Sequence, residues 1–390
     1  YSLNSAMLII RKVQLFYFKN QDFVLLGGVF ILIHLFLYYR TGIFTSLEAT
    51  KYIEQGERLS MGYELSELKY FFYLPVILLV SFCKTFHLPL GTVVLVQIAL
   101  SAWSQYCFYR LTRSFSDNRW CAFFTSLGLL LFIPYQSWNF YLYSESIFLS
   151  LCLMFTWLVY KNRLQTWPAQ LSCLLLLGIL VLSRPTGILF IFPWLLYLLL
   201  RKQAAGMRFF HLIMSIIILI VASLLINQLY AGGNDFDSLL PFVEEHIICG
   251  VPSKESHTIL DLVKDRGAVG NLLYYILHNP LHFLKLFSLR LISFFNMTRH
   301  YYSTAHNLLL VLFMIPVYLF GIIGWVKKIK PGNAYSIFLI ALFITYPSII
   351  ALQCDDWHSR FTMVLIPHCL MLASLGVLYL SDFRRNRFAR

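Results

Sequence analysis

The chain has 390 residues, of which 59% are hydrophobic and 17% aromatic but only 13% charged, with a mean hydropathy of +0.69. A soluble domain carries about 25% charged residues, so a disordered chain, a secreted disulfide scaffold and an ordinary cytosolic enzyme are excluded. The net charge of +13 would point to nucleic acid in a soluble protein; among long apolar runs it is read first against a membrane.

A span takes about 20 apolar residues. The runs that qualify are 22–39, 90–109, 120–136, 142–160, 167–183, 186–200, 209–230, 304–326, 334–353 and 361–381. The first reads as an uncleaved span rather than a signal peptide. Two further apolar stretches, 70–83 and 280–297, carry prolines or mixed charge inside longer polar loops. They are read as interfacial or re-entrant helices, because irregular backbone at membrane depth is tolerated only where protein buries it. The expected fold class is therefore all-α, a polytopic membrane protein of about ten transmembrane helices with interfacial or re-entrant helices in two long outer loops.

Charge orients these spans. Alternating them puts 1–21, 110–119, 161–166, 201–208, 327–333 and 382–390 on one side; with Asp22 they hold 18 basic and 3 acidic residues, a net of +15. The rest holds 13 basic and 15 acidic residues, a net of −2. Lys and Arg mark cytoplasmic loops, so both termini are expected in the cytoplasm. The polar chain of the other face lies in two long loops, 40–89 and 231–303, and in short connections at 137–141, 184–185 and 354–360. Loops of this length are functional when ordered. The eight cysteines fall mostly inside apolar runs without a C-x-x-C pair, and read as small core residues rather than a metal site or disulfide framework.

The outer face carries the candidate chemistry. The first loop opens T-S-L-E-A-T-K-Y-I-E-Q-G, where Ser46 is a plausible N-cap and Leu47, Thr50 and Ile53 fall at helical spacing. Glu48 is then a first-turn acid close to the bilayer interface; it is either a helix-start acid favoured by the dipole or a catalytic carboxylate. Glu145, in Y-L-Y-S-E-S-I-F-L-S, enters an apolar span, where an ionisable group is expensive and marks function unless it only caps the helix. Arg184, in S-R-P-T-G, sits in an outer turn too short to need a cation; a guanidinium there suits a phosphate or snorkels to lipid. The last outer connection, C-D-D-W-H-S-R-F, crowds Asp355, Asp356, His358 and Arg360; a salt-bridged turn is the plain reading, with Arg360 again placed for a phosphate. Lys69, ahead of the aromatic run Y-F-F-Y, is a third such cation. No group here has the count or spacing of a metal site.

An early acid in a long first outer loop, a second acid in L-Y-S-E-S-I-F-L at the outer end of the fourth span, and the R-P-T-G turn are together similar to the glycosyltransferase C (GT-C) superfamily. These are integral-membrane enzymes that use polyprenyl-phosphate-linked sugars. The L-Y-S-E-S segment resembles the GPI mannosyltransferase (PIG-V-like) and protein O-mannosyltransferase or aminoarabinose transferase families, and R-P-T-G resembles the R-x-x-G that follows in them. The resemblance runs through about residue 200. Many relatives have an Asp or an Asp-Glu pair at the first-loop acid, which leaves either Glu48 or a neighbour such as Glu54 as the base.

What the resemblance implies is an inverting transfer of a sugar, mannose in these families, from a polyprenyl-phosphate donor to an acceptor hydroxyl at the periplasmic or luminal face. Glu48 and Glu145 would be the catalytic pair, with Arg184, Arg360 and Lys69 on the donor phosphate and Tyr52, Tyr143, His358 and Asp355 in substrate binding. No cofactor and no metal is implied. The partners are the donor, a protein, glycan or lipid acceptor, and membrane lipids, but no nucleic acid. Residues 1–230 would form the catalytic transmembrane module, 231–303 the second outer loop with its interfacial helix, and 304–390 the C-terminal helices. The Phe-, Ile- and Lys-rich style favours a bacterial inner membrane over the endoplasmic reticulum. The alternatives are a polytopic transporter or lipid-linked-sugar flippase, whose sites tend to lie near the midplane between inverted repeats, and a non-catalytic scaffold.

Overall fold

The computed structural model describes residues 21–162, 167–200, 239–249, 251, 259–263, 266–330, 333–356 and 358–388, with 209, 213 and 216. The expected span at 209–230 therefore lies almost wholly outside the described residues. The described chain is helical throughout: α1 Gln21–Thr41, α2 Glu48–Ser60, a 3-10 turn Leu68–Tyr73 running into α3 Leu74–Thr85, α4 Gly91–Ser116, α5 Arg119–Leu131, α6 Ile133–Gln136, α7 Glu145–Asn162 and α8 Trp167–Ser183. After a 3-10 turn Pro185–Phe190 follow α9 Ile191–Leu200, α10 Leu240–Val243, α11 Gly267–His278, α12 Pro280–Asn296, α13 Thr304–Lys328, α14 Ala334–Ala351 and α15 Ile366–Phe388. Among these, five helices are long and apolar enough to cross a membrane, or six if α5 and the bent segment Ile133–Phe140, meeting at 68°, form one broken span. Pro168–Ser183, Pro185–Leu200 and Ile366–Ser381 are shorter apolar helices. The protein is an all-α, polytopic integral membrane protein.

Contacts sort the helix termini into two ends. At one end the start of α1 meets α4 and α5, where Asp22 accepts from Tyr109 (2.6 Å) and is gripped by Arg119 through Nε (2.8 Å) and Nη2 (2.9 Å). There too Tyr160 of α7 donates to Ser114 O, Lys328 lies over Phe115, and Tyr335 meets both Phe115 and Tyr160. The opposite end holds the bridge between Phe44 and Tyr141 and the bridge between Ile248 and Asp355. The described basic connections thus share one end, as their charges require.

The segment Leu68–Thr85 has the length and hydropathy of a span. Its chain nevertheless returns to the end it left, since a Cβ on Gly91, which opens α4, would lie 3.4 Å from Ile43 just beyond α1. This agrees with a re-entrant path. Pro75 sits in the first turn of α3, where its missing N–H is tolerated. In the second outer loop Pro280 likewise opens α12, and Leu239, Phe242, Tyr275 and Leu286 form a small separate core.

Close helix contacts fix the remainder. A methyl on Gly324 of α13 would strike the Leu372 carbonyl of α15, and one on Gly376 the Phe320 carbonyl, so the two backbones touch as small residues allow in membranes.

Two expectations are corrected. Cys249 and Cys354 are joined in a disulfide across 105 residues, whereas the other six cysteines are buried and free. Sequence spacing carries no signal for a pair that only the tertiary fold brings together. Ser46 does not cap α2: Leu47 occupies the N-cap without a side-chain bond, and the Ser46 carbonyl instead accepts from Tyr143 (3.2 Å).

Candidate active site

Four distant stretches converge at the end that holds the two bridges. Glu48 is the first residue of α2, behind Leu47, whose φ of 59° is left-handed and strained for a branched side chain. Glu145 is the first residue of α7 and is 1% exposed. The stretch leading to it is fixed from α4, where Gln97 donates to the carbonyls of Tyr141 (3.2 Å) and Tyr143 (2.9 Å). Asn139 adds a buried network, donating to Ser101 (3.1 Å) and accepting from Ser146 (2.6 Å). Arg184 follows α8 in extended backbone, 6% exposed. The turn behind it needs a glycine, because a Cβ on Gly187 would collide with the Leu180 carbonyl. Arg360 comes from the last outer connection.

Arg360 joins these stretches. Its Nη1 lies 2.9 Å from both oxygens of Glu48 and 2.8 Å from Glu145 Oε1, and its Nε is 2.9 Å from Asp356 Oδ1. Arg184 Nη1 grips the same Glu145 oxygen at 2.5 Å. Phe361 lies beside both guanidinium groups, 5.6 Å from Arg184 and 5.8 Å from Arg360, and Phe148 adds a second ring beside Arg184. Burial opposes the Arg360 charge, but Glu145, Asp356 and Glu48 together hold its pKa well above the usual value. Among the described residues, Arg184 Nε is buried without a hydrogen-bond partner. Such an orphan in a polar site calls for a water or ligand atom. No three His, Cys, Asp or Glu side chains among the described residues converge to hold a metal ion.

Aromatic side chains flank the cluster. Tyr52 packs on Tyr73 (5.1 Å) and edge-on to Tyr143 (6.5 Å), and Trp138 lies 6.0 Å from His358. Burial, then Tyr73 and the acids Glu145 and Glu48, raise the Tyr52 phenol far above its usual range; burial first also raises Tyr143, to about 12. Both are hydrogen-bond donors at any physiological pH. Burial lowers the His358 imidazole, against the pull of Asp356.

Of the residues expected from sequence, Glu48, Glu145, Arg184 and Arg360 share one cluster, with Tyr52, Tyr143 and His358 in its electrostatic reach. Lys69 pairs with Glu67 at 2.8 Å and lies over the Tyr70 ring. Asp355 faces the other way and is fully buried, with Oδ2 on Arg299 and Ser293 and Oδ1 accepting from the Asp356 amide. Burial raises its pKa and Arg299 opposes the rise. It anchors the loop that carries Arg360. Two site residues were not singled out by sequence. Asp356 showed only as one acid of a crowded loop, although its i,i+4 spacing to Arg360 was readable. Tyr73, which lies within the field of Arg184, Arg360, Glu48 and Glu145, had no signal beyond an aromatic run.

Residues 77–226 match the family described as dolichyl-phosphate-mannose-protein mannosyltransferase, a family of the GT-C superfamily. The resemblance to that superfamily is thereby shown over this stretch, and with the apolar helices it supports a membrane glycosyltransferase of the GT-C type. The matched stretch contains Glu145 and Arg184, while Glu48 and Arg360 lie outside it. No curated protein and no solved structure matches the chain.

Proposed function

We propose that the protein is an inverting glycosyltransferase that moves mannose from a polyprenyl phosphate to an acceptor hydroxyl at its outer face. The observation that carries this reading is the convergence of Glu48, Glu145, Arg184 and Arg360 in one ion-pair cluster. The acceptor oxygen forms a bond to the anomeric carbon as the bond from that carbon to the phosphate oxygen breaks. The hydroxyl proton passes to a carboxylate, for which Glu48 is the partly exposed choice at 35%; a positioned base contributes about 10²–10⁴-fold. The polyprenyl phosphate leaves with the bonding pair and an added negative charge. Arg184 and Arg360 are placed to stabilise it, and preorganised charge of this kind is often the larger effect. Glu145, held by both guanidinium groups, orients them, and the tyrosines supply donors and stacking faces for the sugar.

The name of the matched family favours a protein acceptor. The disulfide beside the site supports an oxidising compartment, periplasm or lumen. Purified protein is incubated with radiolabelled polyprenyl-phosphate mannose and candidate acceptors. Label should appear in an acceptor with the wild type and fall by at least about 10²-fold with Glu48→Gln. No transfer from any polyprenyl-phosphate sugar, with movement of the lipid across vesicles, would replace this reading by the flippase.

A further inference from the structure

The resting site poses a problem of occupancy at Arg360. A guanidinium grips a phosphate through two adjacent nitrogens, either Nη1 with Nη2 or Nε with Nη2. Among the described residues Nη2 has no partner and Nη1 holds Glu48 and Glu145, while Nε is buried 2.9 Å from Asp356 Oδ1 in an ion pair without a hydrogen bond. The Nε–Nη2 edge is closed by the burial of Nε beside Asp356, and the Nη1–Nη2 edge offers one open nitrogen and one taken by carboxylates. A donor phosphate can complete its grip only by displacing an acid.

The three acids are not equally held. Glu145 has a side chain 2% exposed and a second counter-ion in Arg184. The Asp356 side chain is 4% exposed, and its Oδ2 also accepts from the backbone N–H of His358 at 2.9 Å. The Glu48 side chain is 35% exposed, and Arg360 is its only ion-pair partner among the described residues. Glu48 is thus the carboxylate that yields at least cost. Charge favours the exchange as well. Three carboxylates face two guanidinium groups in the cluster, so an incoming phosphate is accommodated better if one acid moves off towards water.

We propose that Arg360 is an exchange point: the phosphate of the lipid donor takes Nη1 from Glu48, and Glu48 is freed towards the acceptor hydroxyl only once the donor is seated. This rests on the reading of the cluster as a transferase site. With both oxygens on Arg360, Glu48 is poorly placed to accept a proton; with the donor bound, it is released beside the anomeric carbon. The exchange makes activation of the acceptor depend on prior donor binding, through one guanidinium.

The test is a sign. Farnesyl phosphate is titrated into the purified full-length protein in detergent, and its affinity is compared across variants. Exchange predicts that Glu48→Gln binds farnesyl phosphate about tenfold more tightly, because a competitor for Nη1 is gone. A merely structural Glu48, which keeps Arg360 in place, predicts weaker binding on the same substitution. Asp356→Asn should give no gain, and the gain from Glu48→Gln should vanish in an Arg360→Lys background, where a single ammonium replaces the fork. Unchanged or weaker binding by Glu48→Gln overturns the proposal, and so does an equal gain from Asp356→Asn, which would mark a general field effect. If Glu48→Gln does not accumulate as folded protein, Glu48→Asp, one methylene shorter in reach, carries the same expectation of tighter binding. A wild type that binds no farnesyl phosphate and transfers no sugar would instead remove the transferase reading itself.

Discussion

Glu145 Oε1 sits between two guanidinium groups, and the neighbouring Glu48 shares one of them from a half-open position. The two acids should separate in experiment. Removing one partner of a buried ion pair costs about 3–5 kcal/mol, because the remaining charge is stranded. Glu145→Gln strands part of the charge of both Arg184 and Arg360, so it should lower the thermal stability of the detergent-solubilised protein by that order. Glu48→Gln breaks a partly exposed pair worth about 1 kcal/mol or less and should leave the melting temperature nearly unchanged while activity is lost. A second expectation concerns His358. Burial depresses its folded pKa, so the neutral ring is favoured in the folded state. Its contribution to stability is complete above the unfolded value of about 6.5 and is lost as pH falls through the depressed one. The melting temperature should drop on acidification from about pH 7 to about pH 5, and His358→Gln should flatten that slope. These residues were legible in sequence because a charge beside an apolar run is expensive. Their mutual pairing was not, since Glu48 and Arg360 are 312 residues apart and no local spacing encodes that contact.

At the scale of elements, the loop that carries Arg360 is held from the second outer loop by three ties. Cys354 is bonded to Cys249, Asp355 pairs through its backbone with Ile247 and Cys249, and its side chain pairs with the buried Arg299. Cys354→Ser should lower stability by about 2–4 kcal/mol, as loss of a disulfide usually does. It should also weaken binding of farnesyl phosphate, because the guanidinium loses its frame; unaltered binding after loss of the disulfide would show that the other two ties suffice. In membrane-spanning α13, Gly324→Val should prevent close approach to α15 and reduce the yield of folded protein, read by size-exclusion chromatography in detergent. The helices themselves were readable from apolar runs. The re-entrant course of 68–85 needed more than hydropathy, and rests on the return of Gly91 to Ile43. The disulfide was invisible, because both cysteines sit among ordinary loop residues and pair only when two loops fold together.

For the whole molecule, the ends of the helices carry the prediction. Arg113, Lys161 and Lys327 lie in basic stretches at the end where Asp22 meets Arg119, away from the ion-pair cluster. Single cysteines placed at Lys161 or Lys327, in a background with the free native thiols removed, should react with a membrane-impermeant maleimide only from the cytoplasmic side. A cysteine at His300, beside the site, should react only from the opposite side. Alternation of apolar runs with basic loops made this arrangement readable, whereas the composition of the ion-pair cluster depended on packing between distant helices.

The long reach from Glu48 to Arg360 also bears on how the protein is made. As the chain is threaded into the bilayer, the first acidic loop is delivered to its side long before its counter-ion is synthesised, 312 residues later. Every insertion intermediate that stops short of the last outer connection carries carboxylates without the cation that joins them. The cluster is therefore incomplete until the last outer connection is in place, and a ribosome-stalled or truncated product would carry Glu48 and Glu145 in the membrane without Arg360.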